Sequence, residues 1–219
     1  MDAVGAYTAD RSAALSGVPK STIHYWARKG ILVPSVSPER VKLWSYADLL
    51  GLRTIDWLRQ PKSREGLDIP RSKMGMVKRA LRRLRALDLE IFEQGRPVIA
   101  VARDGEVIIT PRSGVPETVE GQLLGRDLID LIAPFEAEEG TRGPDLQRPS
   151  DFVRILPRKL SGAPHIVDTR VATEALYALL VRGFQEDRIA ALYPAVPRAA
   201  IADALGLEGR LATGFQTAA

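Results

Sequence analysis

Side chains that carry positive charge or donate hydrogen bonds recur along residues 20–29, between Pro19 and Gly30. On a helix with 3.6 residues per turn they share one face, while the apolar Ile23 and Trp26 turn to the other. The residues of the polar face are Lys20, Ser21, His24, Arg28 and Lys29. A short helix with a basic outer face fits the major groove of duplex DNA. The spacing therefore predicts a DNA-recognition helix.

Two further helices are expected to position this one. Thr8 is placed to cap a helix over residues 9–16, and Gly17 forms the turn that follows it. Ser45, with Asp48 three residues later, predicts a capping box at the start of a helix with a clean apolar stripe. Gly17 and these caps outline a helix-turn-helix module that ends near residue 60.

A small two-stranded wing is predicted between the recognition helix and the capping box. Apolar residues alternate over residues 32–44, and residues 37–40 form the tip of the turn. Arg40 and Lys42 lie there as candidate phosphate contacts.

The charge distribution agrees with a polyanionic partner for the N-terminal part. The chain of 219 residues has a net charge of +4. Residues 1–60 carry eight basic and five acidic side chains, and residues 61–85 carry nine and two, whereas residues 86–150 carry six and thirteen. Nucleic acid is therefore expected to bind before residue 86.

The first 60 residues resemble the winged helix-turn-helix of the MerR family. The residues that match its recognition helix and wing entry are Thr22, Ile23, Tyr25, Trp26, Gly30, Ile31, Leu32 and Pro34. His24 stands where the family usually has Arg, so a permanent phosphate contact becomes pH-dependent or is replaced by hydrogen bonding. The resemblance implies that Arg28, Lys29, Arg40 and Lys42 neutralise phosphates. Lys20, Ser21, Thr22, His24 and Tyr25 would then face base edges or sugars.

Residues 61–135 are expected to form a small αβ middle domain. Residues 71–85 hold seven basic residues and no acidic one, with an apolar stripe at Met74, Val77, Leu81 and Leu84. Asp104 and Gly105 between β-branched segments predict a hairpin over residues 98–110. Residues 122–135 return to helical spacing. Residues 136–150, rich in Gly, Pro and acidic residues, are interpreted as an interdomain linker.

Residues 151–208 have the pattern of three short helices, with Gly183 as a C-cap. Their apolar stripes are expected to include Leu176 and Leu180, Ile189 and Leu192, and Ala204. This segment resembles a small helical domain of unknown function found in VapB-type antitoxins. The matching positions are Gly162, Pro164, Ile166, Thr169, Arg170, Gly183, Ile189, Tyr193, Pro194 and Ile201. Asp168 replaces a usual Gly, which a left-handed backbone tolerates.

The predicted fold is mainly α, with a winged helix-turn-helix, a central β-hairpin plus helix, and a C-terminal three-helix unit. The two resemblances together imply a type II antitoxin that represses its own operon through operator DNA and neutralises a PIN-domain ribonuclease toxin. Arg210 and Phe215, in a tail over residues 209–219, are candidate toxin contacts. A homodimer is expected because one short helix reads few base pairs. The alternative is an effector-responsive MerR-like regulator without a toxin, in which the αβ middle domain binds a small molecule.

Other classes of function find less support in the sequence. The chain has no Cys, and its two His residues lack acidic neighbours at ligand spacing, so neither a metal nor another cofactor is expected. No set of nucleophile, base and orienting residue is apparent, and we expect no enzymatic activity. Arg170 is expected to pair with Asp168 or Glu174 and hold a turn. The lack of a spanning apolar segment or secretory signal favours a cytoplasmic protein without a membrane partner.

Overall fold

The computed structural model describes residues 5–64, 67–92, 97–110, 128–137 and 140–213. The N-terminal part contains three helices, α1 (Ala9–Ser16), α2 (Lys20–Arg28) and α3 (Tyr46–Arg59). The side chain of Thr8 accepts a hydrogen bond from the amide of Arg11, and Ser45 and Asp48 form the capping box at α3. The predicted helix starts are confirmed because these caps act over three residues and need no distant partner.

The basic segment forms helix α4 (Met74–Arg85), which follows a short hairpin of β1 (Lys62–Arg64) and β2 (Leu67–Ile69). The predicted stripe of α4 is confirmed at Val77, Leu81 and Leu84, which are buried against α3 together with Ala80. A 3₁₀ turn at Leu89–Phe92 ends this part.

The predicted central hairpin is confirmed as β3 (Val98–Ala102) and β4 (Val107–Thr110). Gly105 turns the chain with a φ of 84°. On its other side β3 pairs antiparallel with β5 (Leu128–Asp130), which gives the strand order β4-β3-β5.

The predicted helix over residues 122–135 is wrong for residues 128–135, and residues 122–127 lie outside the described residues. Residues 128–130 are strand β5, and the Asp130 carboxylate accepts hydrogen bonds from the amides of Ile132 and Ala133, which turns the chain out of the sheet. Short apolar runs fit a buried strand as well as a helix, and here pairing with β3 decides between them.

Residues 143–147 are buried in the core, in contrast to the linker predicted over residues 136–150. β6 (Phe135–Glu136) pairs with β7 (Arg142–Gly143), and β7 lies against α1. A Cβ on Gly143 would lie 2.6 Å from the carbonyl oxygen of Leu15. Asp145, Leu146 and Gln147 are buried as well. Gly143, one of the residues that suggested a linker, instead permits close backbone approach.

The C-terminal part has one small strand pair, β8 (Val153–Arg154) with β9 (His165–Ile166), a 3₁₀ turn at Leu160–Gly162, and three helices. The helices are α5 (Thr173–Val181), α6 (Glu186–Leu192) and α7 (Arg198–Thr213). Asp168 has a φ of 57° and Gly183 a φ of 89°, as the sequence predicts.

Three C-terminal expectations are corrected by the structure. Helix α7 continues to Thr213 with Leu211 buried, so residues 209–213 are not a tail. Leu180 and Leu192, assigned to the buried stripes, are exposed because only one narrow side of α5 and α6 packs on α7. Arg170 is exposed and forms no ion pair with Asp168, Glu174 or any other described residue.

Candidate nucleic-acid interface

Helix α2 separates a buried face from a polar one, as its spacing predicts. Ile23 and Trp26 are buried in the core, whereas Tyr25 is 47% exposed. Pro19 precedes the helix, and the amide of Ile31 donates to the carbonyl of Trp26 at 2.9 Å where Gly30, with a φ of 65°, reverses the chain. The buried pair fixes the rotation of α2, so the polar face is held toward solvent.

Two predicted phosphate contacts stand at the carboxyl end of α2. Arg28 and Lys29 are exposed, and neither forms an ion pair within the described part of the chain. An exposed cation without an internal acidic partner keeps its full charge for an external anion. The end of α2 therefore presents two available positive charges.

The other predicted residues of α2 differ in their surroundings. Ser21 is exposed, Thr22 is half-buried, and the half-buried ring of His24 packs edge-on against Trp44 at 6.1 Å between ring centroids. Lys20 is exposed and pairs with Asp10 of α1, with 2.6 Å between Nζ and the carboxylate. The sequence analysis missed this pair, which joins residues on two helices. Such an exposed ion pair is worth little, so it leaves Lys20 able to exchange partners.

The predicted wing is present as a loop closed by very short strand pairing. The amide of Ser37 donates to the carbonyl of Leu43 at 3.1 Å, and the carbonyl of Ser37 accepts from the amide of Leu43 at 2.9 Å. At the tip Arg40 is exposed, and the half-buried Lys42 donates to the carbonyl of Glu39 at 3.3 Å. The wing thus places one exposed cation and one partly engaged cation beyond α2.

A polar junction that the sequence analysis missed anchors the wing to α3. The carboxylate Oδ2 of Asp48 accepts hydrogen bonds from the amide and the hydroxyl of Ser35, at 2.8 and 2.6 Å, as well as from the amide of Ser45. The capping-box motif predicted the role of Asp48 at the start of α3 but not its contact with Ser35, which lies outside that motif. This junction fixes the start of the wing relative to the helices.

Helix α1 is the support of α2, and buried polar contacts tie α1 to the rest of the chain. Arg11 forms a two-pronged ion pair with Glu208 of α7 at 2.8 and 2.9 Å. Burial alone would lower the pKa of Arg11, but its hydrogen bond and charge interaction with Glu208 outweigh burial and raise the pKa. The hydroxyl of Tyr7 donates to the carbonyl of Gly162 at 2.7 Å. The helix-turn-helix is thus joined directly to the C-terminal part.

Arg53 of α3 holds the end of α1 from inside the core. Its fully buried guanidinium donates to six backbone carbonyls, at distances of 2.6 to 3.3 Å. The acceptors are Leu15, Ser16, Leu131, Ile132, Ala133 and Pro144. Burial lowers the pKa of Arg53 to about 10, so the group stays charged at neutral pH. Three chain segments therefore meet at one cation, directly before the turn into α2.

The two candidate toxin contacts lie near the end of the chain. Arg210 lies on the exposed side of α7, and Phe215 lies outside the described residues. Among the described residues no group of three His, Asp or Glu side chains is placed to hold a metal ion. No described helix is long and apolar enough to cross a membrane.

Comparison with known proteins matches both ends of the chain. Residues 7–64 match the MerR HTH family regulatory protein model, and residues 153–206 match a protein family of unknown function, DUF433. A search of the curated proteins finds no match. The X-ray crystal structure of Rv2018 from Mycobacterium tuberculosis is similar at 16% sequence identity and a TM-score of 0.47, over 91% of this chain and 96% of that chain. The chain therefore carries a MerR-family helix-turn-helix domain, typical of DNA-binding regulators, near its N-terminus and a DUF433 domain near its C-terminus.

Proposed function

We propose that this protein is a DNA-binding repressor that also serves as the antitoxin of a type II toxin-antitoxin system. One observation carries the DNA-binding part. Helix α2 buries Ile23 and Trp26 while Arg28 and Lys29 stand exposed without an acidic partner among the described residues. In this pose Arg28, Lys29 and Arg40 neutralise phosphates, and the middle of α2 faces the bases.

Salt dependence of DNA binding tests this pose. Each lost phosphate contact reduces the slope of log affinity against log salt by about 0.9. The variant R28Q/K29Q is therefore expected to lower the slope by about 1.8 on the DNA upstream of the gene and on an unrelated duplex. The variant R148Q/R170Q removes two exposed arginines outside the helices and serves as the matched control. Equal slopes for both variants would contradict the pose.

The antitoxin part rests on the resemblance of residues 151–208 to the helical domain of VapB-type antitoxins. We infer that a PIN-domain ribonuclease is the partner. Co-expression of the tagged full chain with the product of each adjoining gene is expected to capture a nuclease whose RNA cleavage the chain suppresses. Capture of no nuclease would remove the antitoxin part and leave the DNA-binding part intact.

Arg210 and Phe215 remain our proposed toxin contacts. A truncation after Thr213 removes Phe215 yet keeps Glu208 and Leu211, which belong to the core. This truncation and the substitution Arg210→Gln are each expected to weaken nuclease inhibition without unfolding the chain. Full inhibition by both variants would assign toxin binding to another surface.

We propose that the repressor binds DNA as a homodimer through α5 and α6. Leu180, Val181 and Leu192 are 38%, 71% and 53% exposed on these two helices, and apolar groups of this size favour burial against a second copy. The substitution Val181→Glu is expected to yield monomers in sedimentation equilibrium. Val41→Glu, at a 65% exposed valine of the wing, is the control that should leave the dimer unchanged.

A cavity supports the alternative of an effector-responsive regulator. It has a volume of about 300 Å³ and lies between α1, the turn at Gly17 and Pro19, the β6–β7 hairpin and the end of α7. A small molecule bound there would contact the turn into α2 directly. Mass spectrometry of the purified protein under native conditions is expected to detect such a ligand if this alternative holds.

A further inference from the structure

The cavity between α1, the turn into α2, the β6–β7 hairpin and the end of α7 is lined mostly by small apolar groups. Its volume is about 300 Å³. Water takes about 30 Å³ per molecule in the liquid, so this space holds about ten waters or one small organic molecule. The apolar part of the lining consists of Ala13, Ala14, Val18, Pro19, Leu211 and Ala212. An apolar side chain of a ligand would gain free energy by burial against these groups.

Two side chains of opposite charge also line the cavity. Among the described residues that line it, Asp10 is the one acid and Arg142 the one base. Asp10 pairs with Lys20 at 2.6 Å and Arg142 with Glu136 at 3.2 Å, and all four side chains are more than half exposed. Exposed pairs of this kind contribute little free energy, so their members can exchange partners. The lining therefore offers one negative and one positive charge to a ligand.

The turn into α2 adds a hydrogen-bond acceptor to the lining. The hydroxyl of Thr141 donates to the carbonyl of Gly17, the residue that turns the chain with a φ of 79°. Because its proton is used in this way, the hydroxyl of Thr141 can only accept a hydrogen bond from a ligand. An ammonium group, which only donates, matches both Thr141 and the carboxylate of Asp10.

We propose that this cavity binds a small zwitterion with an apolar side chain, namely an apolar amino acid or a dipeptide, and that the bound molecule strengthens DNA binding. The ligand ammonium contacts Asp10 and Thr141, its carboxylate contacts Arg142, and its side chain packs on the apolar lining. A ligand with a net negative charge would be repelled by Asp10, and one with a net positive charge by Arg142. The zwitterion satisfies both residues at once.

The effect on DNA follows from the partner that Asp10 gives up. Lys20 begins α2, and an ammonium bound to Asp10 replaces Lys20 there and leaves its charge available to DNA. The ligand also touches α1, the turn and α7 together, so it stabilises the arrangement that exposes the polar face of α2. This step rests on the proposed DNA-binding function and names a regulator of it, whereas binding in the cavity does not depend on that function.

Calorimetric titration of the full chain tests the cavity itself. The probes are L-leucine, L-phenylalanine and L-leucyl-L-leucine, and at least one is expected to bind at a single site. Its N-acetylated form lacks the ammonium and its carboxamide form lacks the carboxylate. Each should bind about tenfold more weakly or worse, because one charge-assisted contact is lost. Ala212→Leu fills the cavity and should abolish binding, whereas Ala202→Leu, at another exposed alanine of α7, should not. No binding of any probe, or equal binding by both variants, would overturn the proposal.

DNA titrations with and without the probe test the regulatory step. The probe should raise the DNA affinity of the wild-type chain by up to about tenfold at 0.1 M salt, the effect of about one added cation. Asp10→Asn releases Lys20 without a ligand, so the probe should have no effect on that variant. The control Asp168→Asn changes an exposed acid outside the cavity and should keep the wild-type response. Probe binding that leaves DNA affinity unchanged would overturn the regulatory step alone. A wild-type chain that binds no DNA would overturn the proposed function, and the calorimetric result would still decide whether the cavity is a binding site.

Discussion

Removing the buried guanidinium of Arg53 should destabilise the whole chain and disturb the turn that determines the position of α2. The substitution Arg53→Met keeps much of the side-chain volume but leaves six backbone carbonyls without their donor. A single unsatisfied buried polar group costs about 1–3 kcal/mol, and Arg53→Met leaves several such carbonyls at once. Because water can enter the vacated site, we expect a loss of about 3–5 kcal/mol in the free energy of unfolding. Domains of ordinary stability have only about 5–15 kcal/mol in total.

Urea unfolding followed by tryptophan fluorescence measures this loss directly. Trp26, Trp44 and Trp57 are all buried in the part of the chain that Arg53 supports. The control is Arg59→Met on the same helix, where the guanidinium is half-buried and makes one long hydrogen bond of 3.4 Å to the carbonyl of Ser72. That control should change stability by about 0.5 kcal/mol or less.

A conservative variant tests whether charge or hydrogen-bonding geometry is decisive. Arg53→Lys keeps the charge but brings three donors to six acceptors, so its loss should fall between those of Arg53→Met and the control. Since two acceptors are the last carbonyls of α1, both Arg53 variants should also bind DNA more weakly at temperatures where they remain folded. A loss below about 1 kcal/mol for Arg53→Met would refute the view that this cation holds the segments together.

Three further perturbations address other junctions. Glu208→Ala leaves the partly buried Arg11 without its ion-pair partner and should lower the free energy of unfolding in urea by about 2–3 kcal/mol. The double variant R11M/E208M should recover part of that loss, and equal losses for the single and double variants would argue against the stabilising role of the pair. Gly143→Ala forces a Cβ onto the backbone of α1 and should lower stability by about 1–3 kcal/mol, whereas Gly75→Ala on α4, which has open space, should be neutral or stabilising. Burial lowers the pKa of His165, so below about pH 6.5 the unfolded chain binds more protons than the folded chain. The free energy of unfolding should therefore decrease as the pH is lowered, by up to about 1.4 kcal/mol per pH unit. His165→Gln should lose that pH dependence in unfolding measured from pH 5 to 7.5.

Short-range chemistry made the N-terminal elements predictable. The bounds of α1 and α2 follow from caps and glycines that act within four residues, and the exposure of Arg28 and Lys29 follows from a 3.6-residue period. The same logic anticipated the left-handed Asp168. These features need only neighbours along the chain, so the sequence is sufficient to predict them.

Contacts between segments far apart in the chain could not be predicted from the sequence. Nothing local marks Arg53 as buried, because its acceptors are backbone carbonyls as far as Pro144. The strand character of residues 128–130 depends on pairing with β3, and the burial of residues 143–147 depends on packing near α1. The partners of Asp10 and Ser35 lie across a turn and across the wing, respectively. Each of these contacts requires knowledge of which segments meet.

Helix α1 gives the two family-matched domains a common element. It packs against α2 and α3 on one side, and Arg11 joins it to α7 on another. Its carboxyl end, where the chain turns into α2, is held by Arg53 and by the close approach of Gly143. A molecule that binds α5–α7 and changes the position of Glu208 therefore acts on α1, the helix against which the recognition helix packs. By linkage, the factor by which such a molecule changes DNA affinity must equal the factor by which DNA changes the affinity for that molecule, so titrations in both orders measure the same coupling.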